Sequence, residues 1–209
     1  MSRRRSLWVI PAVLYAAFCF WYTNTEGPMT SDEIEAVLER ATDGGAADER
    51  IAQLREFMES DDGGQFLMFN SLDMADDPPE VEGASPDEDA DQLMARYMDY
   101  MFPEMFKRGC HPAFFGASLS NALDLSGIEG AESWDRAVLV RYRSRRDILE
   151  ISGNPVFRGR HKFKLAALDK TIAYPVEPLV YLSDLRFLLA LILLAGVALS
   201  DVLIYGRGR

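Results

Sequence analysis

Apolar and polar positions alternate along Trp134 to Tyr142 (WDRAVLVRY), which predicts a strand with Val138, Val140 and Tyr142 on one face. Ser144 is placed to cap a short following helix (RRDILEIS), and Gly153 to end it in a left-handed conformation. Asn154-Pro155 restarts a helix at once, with Asn as the cap and Pro in the first turn, where its missing N–H is no loss. That helix is expected to reach about Leu168, and Lys170 to Tyr174 to close as a short strand. Upstream, Gln65 to Leu72 (QFLMFNSL) reads as a buried strand with Asn70 and Ser71 as its polar members. Gln92 to Lys107 reads as an amphipathic helix whose Leu93, Tyr97, Met101 and Met105 stack at four-residue steps. His111 to Leu119 (HPAFFGASL) is a further strand, pushed toward a sheet edge by Pro112, and Asn121 to Ser133 is loop.

Earlier still, Thr30 or Ser31 caps a helix through about Ala41, Gly44-Gly45 breaks it, and a second helix runs from about Ala46 to Ser60 with Ile51, Leu54, Phe57 and Met58 inward. The outermost segments are of a different kind. Leu7 to Tyr22 is an apolar run behind Arg3, Arg4 and Arg5. A basic start and a short apolar core suit a signal peptide as well as an anchor. The absence of a small-x-small site and the exit through Phe18, Phe20, Trp21 and Tyr22 favour a retained anchor. Leu185 to Ile204 is long enough to span and is followed by Arg207 and Arg209. Arginines at both outer flanks predict a two-pass protein of a bacterial inner membrane, with both termini cytoplasmic and the intervening domain periplasmic. Ala12 and Ala16 are expected to face Ser200 and Gly196 across an antiparallel helix pair, and Asp201 to snorkel to the interface.

The expected organisation is then a tail (1–6), a transmembrane helix (7–23), a helical hairpin (24–64), an α+β domain (65–175) with an acidic loop (73–91), a linker (176–184), a second transmembrane helix (185–205) and a tail (206–209). Charge sharpens this. The net charge is −11, yet Glu26 to Asp91 holds 21 acids against 3 bases, while Arg136 to Lys170 holds 3 acids against 10 bases. Acids on that scale repel phosphate and exclude a nucleic-acid binder; complementary pairing within one domain or across a dimer is the expected use, with an anion site as the alternative. The stretch 73–91, with nine acids, no base and three prolines, matches no calcium-loop spacing and predicts a solvated, mobile insertion. Cys19 and Cys110 lie in an apolar and a soluble segment respectively, so no disulfide joins them.

Strand, helix, strand, strand, helices, strand is the βαββαβ order of a ferredoxin-like domain. The segments FLMFNSL, ARYMDYMFPEMFKRGCHPAFFG and WDRAVLVRYRSRRDILEISGNPVFRGR resemble the dimeric α/β-barrel superfamily. Within it they are most similar to a bacterial family of unknown function related to the antibiotic-biosynthesis monooxygenases. Such members carry a strand like VLVRYPSR, then a D/N-P helix start and a histidine before mid-helix; here these are Val138 to Arg146, Asn154-Pro155 and His161. Arg143 replaces the usual proline and Val156-Phe157 a glutamate–tyrosine pair. The resemblance implies a homodimer with two four-stranded sheets face to face around a cavity, and it implies no mechanism.

Few polar groups are placed to line such a cavity. His161 shares a helical stripe with Phe157, Leu165 and Leu168 and is expected to face inward, hydrogen-bonded to Asn70, Tyr97 or Trp134. Asn70 alternates with Phe66, Met68 and Leu72; Trp134 and Tyr97 offer aromatic walls, and His111 sits at a strand end. Two functions follow: a membrane-tethered ligand-binding or assembly module, or a small cofactor-poor enzyme on an apolar or aromatic substrate with His161 as acid–base group and Asn70 orienting an oxygen. A haem variant rests on the order Asn70, Trp134, His161, which matches a triad in haem-degrading relatives. No GxGxxG, P-loop, CxxC, HExxH or GxSxG occurs, so neither a cofactor nor a metal is implied. The expected partners are a lipid bilayer, a second copy and an unspecified small molecule.

Overall fold

The computed structural model describes residues 2–206, which fall into two compact units: Glu26–Glu177, and the two outer segments around the first and last helices. Each has its own physical logic.

The central unit begins with a helical hairpin, α2 (Ser31–Asp43) and α3 (Asp48–Glu59). Thr30 opens α2 with a capping box: its hydroxyl accepts from Glu33 N–H while the Glu33 carboxylate accepts from Thr30 N–H. Met29, Ile34, Leu38 and Met58 form the small core between the helices. The α+β part follows as β1 (Phe66–Met74), α4 (Ala90–Lys107), β2 (His111–Ala117), β3 (Arg136–Tyr142), α5 (Arg145–Gly153), α6 (Pro155–Ala166) and β4 (Leu168–Val176). The four strands make one antiparallel sheet in the order β2-β3-β1-β4, the ferredoxin-like arrangement that the element order predicts. β2 is an edge strand with a register shift between Pro112 and Phe114, as expected of a strand carrying proline.

Register assigns the two faces. Phe66, Met68 and Asn70 pair with Tyr142, Val140 and Val138, and this face meets the helices through Leu93, Tyr97, Met101, Met105, Ile151 and Phe163. The opposite face carries Phe69, Leu139, Phe114, Ile172 and Tyr174. α4 ends in a Schellman motif. Gly109 is left-handed at φ +70°, Gly109 N–H donates to Phe106 O, and Cys110 N–H donates to Met105 O. Cys110 and Met105 are both buried there, and burial raises the Cys110 thiol to about 11.

Several expectations are corrected. Gly153 is not left-handed. The chain breaks instead at Asn154, extended at φ −68°, ψ 132°, because Pro155 excludes the helical conformation for the residue before it. Asn154 does cap α6, accepting from Val156 N–H at 2.9 Å. Both helices and β4 differ in their limits, α6 stopping at Ala166 and β4 running from Leu168 to Val176. The acidic stretch is not a detached, solvated loop. Its ends lie in β1 and α4, Val81 and Ala84 pack on the core, and Glu88 holds Arg96, which keeps the Glu88 carboxyl at about 2.

The outer unit contains α1 (Arg3–Tyr22) and α7 (Leu185–Tyr205), each long and apolar enough to cross a membrane. Arg207 and Arg209 lie outside the described residues. α1 and α7 pair antiparallel: Arg4 donates twice to the Asp201 carboxylate, at 2.8 and 2.7 Å, and Tyr15 Oη donates to Arg186 O at 3.1 Å. Asp201 is ion-paired to Arg4. The expected small-residue contact is also corrected, because a Cβ added at Gly196 would meet open space. Long polar side chains contribute to joining these helices, and Val197 is buried in the same unit.

Candidate functional site

β1 and β3, with the end of β4, supply one wall of a cavity of about 1420 Å³, and α3, α4, α5 and α6 supply the other. The strand period of two sends Met68, Asn70, Val138 and Val140 into it together. Helical spacing sends Met94, Tyr97, Met98 and Met101 in from α4. α6 contributes Phe157, His161 and Lys164. The cavity thus lies between the sheet and its own helices, within one chain, and not between two facing sheets.

His161 is half-buried. Its ring stacks on Phe157 (4.9 Å between centroids, 21° between planes) and meets Tyr97 edge-on at 6.1 Å. The expected hydrogen bond is absent: among the described residues no protein group bonds its nitrogens. Burial, then the neighbouring Lys164 charge, lowers the affinity of the ring for a proton. The stripe that placed it is corrected too. Leu165 is 59% exposed, and the buried face of α6 is Phe163 and Ala166. Ala167 O accepts from Ala75 N–H at 3.0 Å, a close approach that favours small residues on this face. His161 is left beside the core, turned to the cavity.

Lys164 lies with Nζ 5.8 Å from the centroid of Tyr97, and desolvation lowers its pKa. Asn70 is 9% exposed. Its Nδ2 donates to Met68 O at 3.0 Å, and no donor among the described residues reaches its Oδ1. Burial raises the pKa of Tyr97, keeping its hydroxyl protonated. Asn70, Tyr97 and His161 are thereby brought to one cavity, and Lys164 is the member that reading the sequence missed. The available signal was its spacing of three from His161 on α6, which puts both on one face.

Trp134 and His111 do not join them. Trp134 Nε1 donates to Ala131 O at 3.0 Å and Lys170 Nζ lies 5.0 Å from its ring. His111 sits at the start of β2 with Nδ1 2.8 Å from Pro112 O. Neither lines the cavity, so Asn70, Trp134 and His161 do not converge as a haem triad would require.

No protein-family model matches the chain, and no curated protein matches it. Among solved structures it is similar to a protein of unknown function from Rhodopseudomonas palustris, 25% identical over 65% of this chain and 95% of that one, with a TM-score of 0.50. The methylated form of that protein gives 23% identity over 64% and 93%, with a TM-score of 0.52. A protein from Thermobifida fusca described as a dimeric ferredoxin-like protein of unknown function is 16% identical over 55% and 91%, with a TM-score of 0.33. The likeness is one of fold.

Proposed function

We propose that this protein is a membrane-anchored module that takes up an apolar small molecule between the sheet and helices of its central unit. The observation that carries this reading is the cavity itself: apolar walls around polar tips on His161, Lys164 and Asn70 that the protein leaves unmatched. These tips are open to the cavity space rather than sealed in the core, so a bound molecule can reach and pair with them. The test is calorimetric titration of the full chain, in nanodiscs of zwitterionic phospholipid, with the neutral aromatic 2-naphthamide. Binding by the native protein and its loss in Met98→Trp, which fills the cavity, is the expected result. Equal heats from both proteins would place the probe elsewhere.

Anchoring rests on α1 and α7, whose length and apolar composition suit a bilayer. The arginine flanks orient both termini to the cytoplasm and the central unit to the periplasm. A reporter inserted near Pro86 and one fused after Arg209 should then report opposite sides of the membrane; the same side for both would remove the two-span arrangement. Homodimerisation is supported by the outer sheet face, where Phe114, Tyr174 and Ile172 are substantially exposed. Leu139→Lys at its centre should convert the purified protein to monomer in sedimentation. The distant relationship to the monooxygenase-related family remains part of this proposal. A catalytic reading is favoured by one observation, the neutral, unbonded His161 imidazole, which has a base's lone pair available at pH 7.

A further inference from the structure

Six of the ten bases from Arg136 to Lys170 are answered by carboxylates. Arg136 meets Asp91, Arg143 meets Asp147, Arg145 meets Asp61, Arg146 meets Glu33, Lys162 meets Glu82 and Lys170 meets Asp73. Lys164 meets none. It nonetheless turns into the cavity toward Tyr97, although a lysine stem is long enough to carry its ammonium to water. Its ammonium faces open cavity space with no carboxylate of the protein on it, where an incoming anion can reach it.

We infer that the molecule this cavity takes is an organic monoanion, a carboxylate or phenolate on an apolar body, with Lys164 as its charge partner. The inference rests on the ligand-binding reading above and narrows it. One ammonium balances one negative charge. A phosphate dianion needs several donors; of the guanidinium groups bordering the cavity, Arg136 and Arg145 are already engaged, Arg50 stands on α3, and Glu56, Asp62 and Glu177 on the same lining disfavour a more highly charged anion. Tyr97 and His161 flank the ammonium as further donors to the same oxygen pair, the imidazole from whichever nitrogen carries its proton. Met68, Met94, Met98 and Met101 line the same cavity. Flexible thioethers conform to many outlines, so the site discriminates by charge more than by shape.

The test compares 2-naphthoate with its neutral isostere 2-naphthamide, titrated into the full chain in zwitterionic nanodiscs with empty discs subtracted. The native protein should bind the naphthoate at least tenfold tighter than the amide. Lys164→Met should abolish that preference while changing amide affinity less than twofold, which also shows that the variant is folded. Lys164→Arg, which keeps the charge, should retain a preference. If both probes bind the native protein alike, or the preference survives Lys164→Met, the inference falls while the cavity reading stands. If neither probe binds, both fall.

Discussion

Gly63 shows how much one missing methyl group decides. Its φ is +78°, and an added Cβ would lie 2.7 Å from both Gly27 C and Pro28 N. Two backbone segments pass each other there, and backbone cannot swing aside as a side chain can. Gly45 has the same φ with nothing near it. Gly45→Ala should therefore cost about 1 kcal/mol, from the left-handed backbone alone, and Gly63→Ala clearly more, roughly 3 kcal/mol with the collision added; paired thermal melts measure both. A second residue-scale test uses Glu33. Arg146 first, and Thr30 N–H second, hold its carboxyl at about 2. A depressed carboxylate contributes stability above its unfolded pKa, and that contribution disappears as pH falls from about 4.5 toward 2. The pair is partly solvent-screened, so Glu33→Gln should cost about 1 kcal/mol at pH 7. The gap between the two proteins should close as pH drops through that window in denaturant titrations.

At the level of elements, α4 combines a strong start with a strong stop. Asp89 accepts from Gln92 N–H at 2.8 Å and Gln92 Oε1 accepts from Asp89 N–H at 2.9 Å, and the Schellman turn closes the other end. Asp89→Ala should destabilise the protein by about 1 kcal/mol, measured as a lower denaturation midpoint with unchanged cooperativity. The helices and strands were legible because they are written in local chemistry: caps at Thr30, Ser144 and Asn154, glycine at 109, proline at 112 at the sheet edge. α6 was harder to read. It offers two overlapping apolar stripes, Phe157-His161-Leu165 and Phe163-Ala166, and periodicity does not say which of them the sheet will cover. The winning stripe is decided by the close crossing at Ala167, a long-range fact. For the same reason Asn70, Tyr97 and His161 could be named from the sequence, whereas Lys164 hid among ten bases, five of which find carboxylates far away along the chain.

Across the whole molecule, the lopsided charge resolves into pairing between early acids and late bases within the central unit. Arg145 and Arg146 at the start of α5 reach back to Asp61 and Glu33 of the hairpin region, so the hairpin is stitched to the sheet domain and is no appendage. Replacing both arginines together should weaken the native state more than either alone and expose the α2–α3 amides in hydrogen exchange before those of the sheet. The Arg4–Asp201 pair has a consequence in time. Its partners stand 197 positions apart, so at usual rates of synthesis α1 exists for about 10–40 s before its companion is made. During that interval Arg4 must be tolerated by whatever holds the nascent helix, and the central unit has time to fold. The closing of the helix pair is thus a late step in biogenesis.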